Sequence, residues 1–389
     1  MHAKISFEEH KKWLLSSKIM QSINLNFIQL QEKMKDYVFG SGTDFFVGSR
    51  NYPEIAWGPM VALDDVIQTR DLYGSDYETI IKSRIALLHG RKYQGITPSG
   101  QFIEKSREIA MSTAPIDTEI TFSKIPNLEI NFSSVTQPIG AGAPMKKINI
   151  TENPKIPKRV DQIIDDNLLA NDAISELIGH GFDNYYIIKL LSAGILGKKN
   201  RKLVPTRWSI TACDDLIAKN LMEKIRKYSE IKEILVFSNE YLSNHFNILL
   251  IPGKWEFENF EAWAPNTSWG FKNSGFTITE EYEPYSGRTT YAEKQVGGYY
   301  ASRIGVCEYL HALKKQARVI VFREIDEGYQ IPVGVWEVRE NVRHAFKNNG
   351  KRFSDLNGAL AHLKTKLRVP VNEYLKQTRI ISQTRLIDF

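Results

Sequence analysis

The sequence predicts an α+β protein with a mixed, largely antiparallel central sheet, surrounding helices and a C-terminal helical tail. Three observations support this class. Strand-like and helix-like segments are mixed along the chain without a regular βαβ rhythm. Two strand patterns near the end, at 317–325 and 331–340, flank DEGYQ, which is typical of a hairpin connection. Hydrophobic residues make up 42% of the 389 residues, as in an ordinary globular chain with a large core.

The N-terminal third is predicted to begin with a helix and continue with strands. Apolar residues at three- and four-residue spacings predict a helix over 7–37. The stretch 39–60 combines Gly, Pro and aromatic residues, which is typical of short strands joined by tight turns. Helices are predicted at 75–89 and 100–113. Alternation of apolar and polar residues then predicts a strand at 118–133.

The segment 141–158 is rich in Gly, Pro and Lys, and its prolines exclude a regular helix. We expect it to be an internal boundary or a long surface crossing. The elements predicted after it are helices at 159–179, 183–193 and 212–229, strands at 233–237, 244–253 and 274–284, a helix at 290–316, the two strands of the hairpin, and helices at 340–347 and 354–377.

These patterns predict four parts: an N-terminal helical segment at 1–38, an α+β core at 39–350, a basic C-terminal helix at 351–381 and a terminal peptide at 382–389. Two cysteines exclude a disulfide framework and a Cys-rich zinc finger. No apolar run approaches the roughly 20 residues that span a bilayer, and the N-terminus lacks a signal-peptide core. We therefore expect a soluble, cytoplasmic protein without a membrane partner.

The net charge of +6 is concentrated at the C-terminus. Between Lys347 and Phe389, nine Lys and Arg residues face three Asp and Glu residues, so the rest of the chain is neutral. A basic face or tail on a neutral body is typical of nucleic-acid binding, and a solvated helix surface is the alternative.

The densest basic cluster is GKKNRKLVPTRWSIT, at 197–211, which contains no acidic residue. Its cationic side chains suit phosphate oxygens, and Trp208 offers a face on which a base can stack. The alternative is a solvated loop that leads into a strand, with Trp208 in the core. The candidate residues of this cluster are Lys198, Lys199, Arg201, Lys202, Arg207 and Trp208.

Two further polar clusters are candidates for the wall of a nucleic-acid or nucleotide pocket. In 286–310, Gly297 and Gly298 are expected at a helix start, where backbone amides can approach a phosphate. In 321–346, paired charges fall at strand ends. Ordinary ion pairs are the alternative for both clusters. The candidate residues are Asn244, His245, Arg288, Tyr291, Glu293, Arg303 and Arg323.

No catalytic residue set and no metal centre are predicted. The histidines lack HxxxH and HExxH spacing, and there is no G-x-S-x-G, Rossmann or Walker pattern. No cofactor is evident. NAD or a divalent metal is expected as a cofactor only if the polar clusters above form the pocket of an enzyme.

The last seven residues, QTRLIDF, form a Q-x-x-L-x-x-F pattern of Gln383, Leu386 and Phe389. One turn of tight helix places Leu386 and Phe389 on one side, where they can fill a hydrophobic pocket while Gln383 hydrogen-bonds at its edge. The pattern resembles the box by which replication and repair proteins bind the PCNA sliding clamp. The usual box ends in two aromatic residues, whereas this one has a single aromatic residue.

Several stretches together resemble the archaeal Nre family of DNA repair proteins, particularly its NreA branch. In the family's order they are FVGSRNYPEIAWGPM, QPIGAGAP, KKNRKLVPTRWSIT, YLSNHFNILLIPG, GRTTYAEKQVGGYYASRIGV and VFREIDEGYQIPVGVWEVRENVR. The resemblance implies clamp binding through Gln383, Leu386 and Phe389. Many members begin with a four-cysteine zinc motif, but the first cysteine here is Cys213, so no zinc site is carried over. The resemblance brings no catalytic residues.

The leading prediction is a DNA damage response protein, associated with the nucleoid, that docks on PCNA through its C-terminal box and contacts DNA. The alternative is a nucleic-acid-modifying enzyme tethered to the clamp, either a nuclease or an ADP-ribosyltransferase-like enzyme. The composition of the polar clusters favours the second type slightly. The residues leave DNA and RNA open as ligands.

Overall fold

The structure is a computed structural model that describes residues 30–127, 138–166, 168–197, 201–265, 267, 275–329 and 331–382. The described chain divides into two compact units. The barrel unit comprises the described residues from Leu30 to Ile217, and the sheet unit comprises those from Ala218 to Ser382. Each unit buries apolar side chains of its own, as expected of units of this size.

The barrel unit is built mainly from strands, with helices between and after them. Its elements, in chain order, are β1 Tyr37–Val47, β2 Glu54–Ala62, α1 Tyr77–Ile85, β3 Leu87–Gly95, α2 Gln101–Met111, β4 Ile116–Phe122, β5 Gly142–Ile150, α3 Lys158–Asp165, α4 Ala170–Gly179, α5 Asn184–Ser192 and the first part of α6 Thr206–Ile225.

The five strands close into a barrel in the order β1-β2-β3-β5-β4, and β4 pairs back with β1. Every pairing is antiparallel except that of β3 with β5. Helix α2 lies between β3 and β4 in the chain. This strand order, with a helix in that connection, is the topology of the OB-fold. Alternate side chains such as Phe45, Trp57 and Ile120 are buried and fill the interior.

Strand β5 corrects the prediction of a boundary or surface crossing at 141–158. Residues Gly142–Ile150 pair with both β3 and β4. The preceding Gly140 permits the approach, because a Cβ atom there would lie 2.1 Å from the carbonyl oxygen of Leu87. Glycine content therefore indicates close packing at this position rather than a loop.

The sheet unit begins within α6 and ends with short helices. Its further elements, in chain order, are β6 Ser229–Glu230, β7 Ile234–Tyr241, β8 Asn244–Ile251, β9 Glu256–Trp263, β10 Thr277–Glu283, α7 Gly297–Leu313, β11 Lys315–Gln316, β12 Arg318–Ile325, α8 Trp336–Ala345, β13 Lys351–Phe353, α9 Leu356–Lys364, α10 Val371–Leu375 and α11 Arg379–Ser382.

Its main sheet has six strands in the order β10-β9-β12-β8-β7-β13, with β12 parallel to β9 and the other pairings antiparallel. Alternate residues of β9 and β12, including Phe260 and Phe322, pack with α9 to α11 in one apolar core. The residues between them, such as Arg323, face the other side of the sheet, toward α7 and α8. Strands β6 and β11 form a separate parallel pair.

The α+β class is confirmed, with mostly antiparallel strands and C-terminal helices. The predicted strand at 331–340 is wrong, because Trp336–Ala345 forms helix α8. Its buried residues Val338, Val342 and Ala345 follow helical spacing, which the alternation in the preceding IPVGVW obscures. Across the described ranges, no helix combines the length and apolar character that crossing a membrane requires.

The segment 351–381, predicted as one basic helix, is instead a short strand followed by three short helices. The Asp355 carboxylate caps α9 by accepting from the Gly358 N–H at 2.8 Å, and Pro370 interrupts any continuation before α10. At the other end of the chain, residues 1–29 of the predicted N-terminal helical segment lie outside the described residues. Tyr37, at the end of the predicted helix, belongs to β1. The predicted division into four parts stays a prediction.

Candidate functional site

Two buried glutamates of the sheet hold the chain that leads to the predicted clamp box. The Glu324 carboxylate of β12 accepts hydrogen bonds from the backbone N–H groups of Arg368 and Val369, at 2.8 and 2.9 Å, and from the Tyr374 hydroxyl at 2.8 Å. Glu324 is fully buried. A carboxylate that loses water on burial needs such donors, so Glu324 ties the α9–α10 connection to the sheet.

Glu258 of β9 holds the next part of the tail in the same way. Its carboxylate accepts from the backbone N–H of Arg379 at 2.7 Å and from the Thr378 hydroxyl. Arg318 of β12 donates to the carbonyl oxygen of Ile380 at 3.1 Å, and Ile380 is fully buried in the apolar core. The chain is thus attached to the sheet until just before residue 383.

Burial of Glu258 also changes its titration. Burial raises the pKa of Glu258 to about 7, and the neighbouring Glu280 carboxylate adds to the rise. The hydrogen bonds from Thr378 and Arg379 act in the opposite direction, because they stabilise the charged carboxylate. The anchor of the tail therefore titrates near neutral pH.

The candidate clamp-binding residues Gln383, Leu386 and Phe389 lie outside the described residues. Their role stays a prediction. The structure does locate the end of the described chain, because Ser382 closes α11 and its hydroxyl donates to the carbonyl of Thr378.

The C-terminal basic residues that the structure describes are all exposed. Nζ of Lys347 lies 3.1 Å from Nε2 of His344, and the other seven fall into two groups. The residues that pair with a carboxylate are Arg352 with Glu233, Arg368 with Asp326, Lys376 with Glu373 and Arg379 with Glu280. Lys351, Lys364 and Lys366 have no carboxylate at ion-pair distance within the described ranges. Burial and the charges of Lys351 and Lys366 lower the pKa of His362. We name Lys351, Lys364 and Lys366 the basic patch.

Arg323 and Asn244, two candidate pocket residues, contact each other inside the sheet unit. The Arg323 guanidinium donates from Nε and Nη2 to the Asn244 side-chain oxygen, at 2.9 and 2.7 Å. It also donates to Glu261 at 2.9 Å and to Glu337 at 3.4 Å. Burial raises the pKa of Glu337 to about 7, against the effect of Arg323. All four side chains are buried, so this network supports the packing of α8 on the sheet.

Arg303 forms a second buried network. Its guanidinium pairs with Glu283 of β10, and the Tyr299 hydroxyl donates to the same carboxylate at 3.1 Å. Neither Arg303 nor Glu283 has exposed surface. Arg303 and Arg323 therefore form buried ion pairs, which is the alternative predicted for both clusters. Because their N–H donors bind glutamates of the protein, these arginines do not support a nucleotide pocket in the sheet unit.

The other candidates of the sheet unit are nearer the surface. His245 lies between Glu240 and Asp326, at 3.0 and 2.9 Å. Arg288 pairs with Glu281 at 2.6 Å and donates to the carbonyl of Tyr291, whose exposed ring stacks on Tyr300 at 5.5 Å. Glu293 is exposed. Contacts within the unit therefore account for both residues: carboxylate contacts for His245 and an ion pair for Arg288.

The helix start predicted at Gly297 and Gly298 is confirmed, because α7 begins at Gly297. The anionic group beside this helix start is a side chain of the protein, the Glu261 carboxylate. A Cβ atom at Gly298 would lie 2.3 Å from Oε1 of Glu261, so glycine lets this carboxylate approach the first turn. A phosphate expected at this helix start would have to share the space with Glu261.

The first basic cluster belongs to the barrel unit, where its described part contacts the barrel. Lys198 and Lys199 lie outside the described residues, whereas Arg201, Lys202, Arg207 and Trp208 are described. Trp208 lies in the first turn of α6 rather than in a strand, and 45% of its surface is exposed, so the alternative that places it in the core is wrong. Its ring lies 5.0 Å from the ring of Tyr52, in the β1–β2 loop.

Sequence reasoning missed the exposed aromatic side chains of the barrel, namely Tyr37, Phe39, Tyr52 and Tyr93. Tyr52 lies in the FVGSRNYPEIAWGPM stretch, which supported the family resemblance without suggesting a role. The available signal was an aromatic residue within a Gly- and Pro-rich turn. For metal binding, the part of the chain that the structure describes contains no group of three or more His, Cys, Asp or Glu side chains arranged to hold an ion.

Comparisons with known proteins cover nearly the whole chain. The family model described as "Archaeal Nre, N-terminal" matches residues 16–270, and "Archaeal Nre, C-terminal" matches residues 283–389. The DNA repair protein NreB of Archaeoglobus fulgidus is 35% identical over 358 residues, which cover 90% of each chain. The DNA repair protein NreA of Haloferax volcanii is 33% identical over 90% of this chain and 88% of its own. No solved structure matches at a significant level.

The fold and its matches thus define a protein with an OB-type barrel unit and a mixed-sheet unit, both within the range of one pair of family models. The chain belongs to the archaeal Nre family. The NreA protein of Archaeoglobus fulgidus is 36% identical over 82% of both chains, close to the identity with NreB, so the comparisons establish the family and not the NreA branch.

Proposed function

We propose that the protein acts in DNA repair by docking on the PCNA sliding clamp through Gln383, Leu386 and Phe389 while its basic surfaces contact DNA. The observation that carries the clamp part is the attachment of the tail. Glu258 and Glu324 bind the chain at residues 368–379, immediately before the box.

An anchored peptide binds at a lower cost in conformational entropy than a long free tail. The chain that leads to the box is held on the sheet unit up to Ser382. Residues 368–382 therefore lose little further conformational freedom on binding, so less of the binding free energy is spent on ordering them. Clamp docking would also keep the rest of the protein close to the DNA.

The DNA part is supported by charge and by the relatives. Lys351, Lys364 and Lys366 are exposed cations with no ion-pair partner among the described carboxylates. Such cations can replace the counterions of phosphate groups. Three relatives of similar length carry the name DNA repair protein.

Calorimetry with the full-length protein and purified sliding clamp tests the docking. Phe389→Ala removes the aromatic anchor and should weaken binding by about 2 kcal/mol, or roughly thirtyfold. Leu386→Ala should have a similar effect. Leu313→Ala is the matched control, because Leu313 is exposed at the end of α7 and lies outside the box.

Unchanged affinity of both box variants, or equal weakening by Leu313→Ala, would disprove docking through this peptide. For DNA, Lys351→Gln, Lys364→Gln and Lys366→Gln together should reduce the salt dependence of binding, whether or not the clamp contact exists.

A further inference from the structure

One end of the barrel carries exposed aromatic side chains. Tyr52, in the β1–β2 loop, and Trp208, in the first turn of α6, are 47% and 45% exposed with their rings 5.0 Å apart. Tyr93 of β3 is 65% exposed, the largest exposure among the exposed aromatic side chains of the barrel. We name Tyr52, Tyr93 and Trp208 the aromatic surface.

Hydrogen bonds attach the segment before Trp208 to strands of the barrel. The backbone N–H of Leu203 donates to the carbonyl of Ile96, just after β3, at 2.7 Å. The N–H of Val47, at the end of β1, donates to the Thr206 hydroxyl at 2.9 Å. The segment that carries Trp208 is therefore hydrogen-bonded to the end of β1 and to the residue that follows β3.

The register of β2 and β3 places Tyr93 close to that loop. Glu54, which starts β2, pairs with Gly95, and Ala56 pairs with Tyr93. Two residues of strand separate Tyr93 from the start of β2, a distance of about 7 Å. The outer face of β2 and β3 beside the β1–β2 loop is the surface on which OB-folds bind oligonucleotides.

The three segments that carry the aromatic surface are mostly basic. The ranges 48–57, 87–96 and 201–208 contain a single acidic residue, Glu54. Their basic residues are Arg50, Arg91, Lys92, Arg201, Lys202 and Arg207. This combination offers cations for a phosphate backbone and flat faces for bases.

No described carboxylate lies at ion-pair distance from Arg91, which is held in place by other contacts. A Cβ atom at Gly142 would lie 2.4 Å from its Nε atom, so the guanidinium rests against β5 at a glycine. Arg91 also donates to Nδ1 of His89 at 3.3 Å. Burial, together with the charge of Arg91, lowers the pKa of His89 to about 3, so His89 is neutral and leaves the positive charge of Arg91 uncompensated.

Exposed rings favour a single strand over a duplex. In duplex DNA the bases stack on one another and their faces are covered, whereas an unpaired strand offers each face to a side chain. Such stacking is independent of sequence, because every base has a flat face. The positive charge would attract both single-stranded and duplex DNA. The preference for a single strand would therefore depend on the aromatic side chains.

We propose that this end of the barrel is a binding site for single-stranded DNA, with bases stacked on Tyr52, Tyr93 and Trp208 and phosphates bound by the surrounding Arg and Lys side chains. The site rests on the DNA contact of the proposed function and specifies its location and strand form. It is independent of the clamp box, which lies in the other unit.

Fluorescence anisotropy with full-length protein and a labelled 25-nucleotide dT strand tests the site. Tyr93→Ala and Trp208→Ala should each weaken binding by about five- to a hundredfold. Tyr93→Phe and Trp208→Phe keep a ring and should restore most of the affinity. Affinity for a 25-base-pair duplex should change less than twofold. Tyr285→Ala, which removes an exposed aromatic beside Arg226 and Lys254 in the sheet unit, is the matched control.

Unchanged affinity of both alanine variants for the dT strand overturns the proposal, as does an equal loss with Tyr285→Ala. Tighter binding of a single-stranded RNA of matched length overturns the assignment to DNA. If an alanine variant fails to fold, Arg207→Gln provides a second test, because Arg207 is exposed and its loss should still weaken strand binding. Clamp affinity measured on the same variants separates the two proposals, because either contact can fail while the other persists.

Discussion

The carboxylate of Glu258, within strand β9, accepts a hydrogen bond from the backbone N–H of Arg379, 121 residues later in the chain, at 2.7 Å. This contact attaches the C-terminal tail to the sheet four residues before the predicted clamp box. The tail is therefore part of the folded unit up to that point, and its attachment depends on a buried ionisable group.

Glu258 should make stability depend on pH. Its pKa rises from 4.5 to about 7 on folding, mainly through burial. Between these values the folded protein retains a proton that the unfolded chain has lost. The contribution of Glu258 is thus fully present below pH 4.5 and is lost as the pH rises through 7, a change of up to about 3 kcal/mol.

Urea unfolding at pH 5 and pH 7.5 measures this effect. The wild-type free energy of unfolding should fall between the two conditions, and Glu258→Gln should fall less. Part of the pH dependence of the unfolding free energy should remain in Glu258→Gln, because the pKa of Glu337 is raised over the same range. Glu223→Gln, at an exposed carboxylate, should behave as wild type. Equal slopes for wild type and Glu258→Gln would contradict the assignment.

Two truncations should separate the anchor from the box. Deleting residues 383–389 should abolish clamp binding and leave the free energy of unfolding unchanged. Deleting 376–389 also removes Thr378, Arg379 and Ile380, which leaves the Glu258 carboxylate without these donors and opens the apolar core. This second deletion should lower the free energy of unfolding by about 3 kcal/mol or more. Equal stability of the two truncated proteins would show that the anchor is unimportant.

Gly298→Ala should be destabilising because its Cβ atom would lie 2.3 Å from Oε1 of Glu261. The carboxylate would have to move, although it is bound to Arg323. We expect a loss of about 1–3 kcal/mol in chemical unfolding. Gly358→Ala is the matched control in the first turn of α9, where the nearest atoms lie at an ordinary 3.6 Å. If both variants lose the same stability, the close approach at α7 has no special cost.

Arg207→Gln should reduce the salt dependence of single-strand binding. If Arg207 binds one phosphate, the slope of log affinity against log salt concentration should fall by ~0.7. Titrations of the dT strand at several salt concentrations give this slope. Lys33→Gln is the control in the same unit, because Lys33 is already paired with Asp64 at 2.7 Å. A slope that stays at its wild-type value in Arg207→Gln would place Arg207 away from the phosphates.

Most strands and helices could be predicted from periodicity. The strand predicted at 244–253 corresponds to Asn244–Ile251, and the helix at 183–193 corresponds to Asn184–Ser192. In both, one consistent pattern of burial extends over the element. The prediction at 331–340 failed where two patterns overlap, since the alternation before Trp336 continues into a helix. Strand β5 was missed because its glycines reflect contact with β3, which is distant in sequence.

The candidate site was only partly predictable. Local composition identified the basic cluster at 197–211 and the possible stacking role of Trp208, because charge and ring are properties of single residues. Nothing local indicated that Trp208 would contact Tyr52, 156 residues earlier in the chain. That contact depends on how the segment before α6 hydrogen-bonds to β1 and β3.

The sequence by itself determined the α+β class, the resemblance to the archaeal Nre family and the chemistry of the terminal Q-x-x-L-x-x-F pattern, because each follows from residue type and order. Only the tertiary structure decided which charged side chains are exposed and able to bind a ligand. Arg303 and Arg323 resemble surface cations in the sequence but are buried against Glu283 and Glu261. Whether an arginine binds a ligand or the protein depends on which carboxylate the strand register places beside it, and register is set by packing across the whole unit.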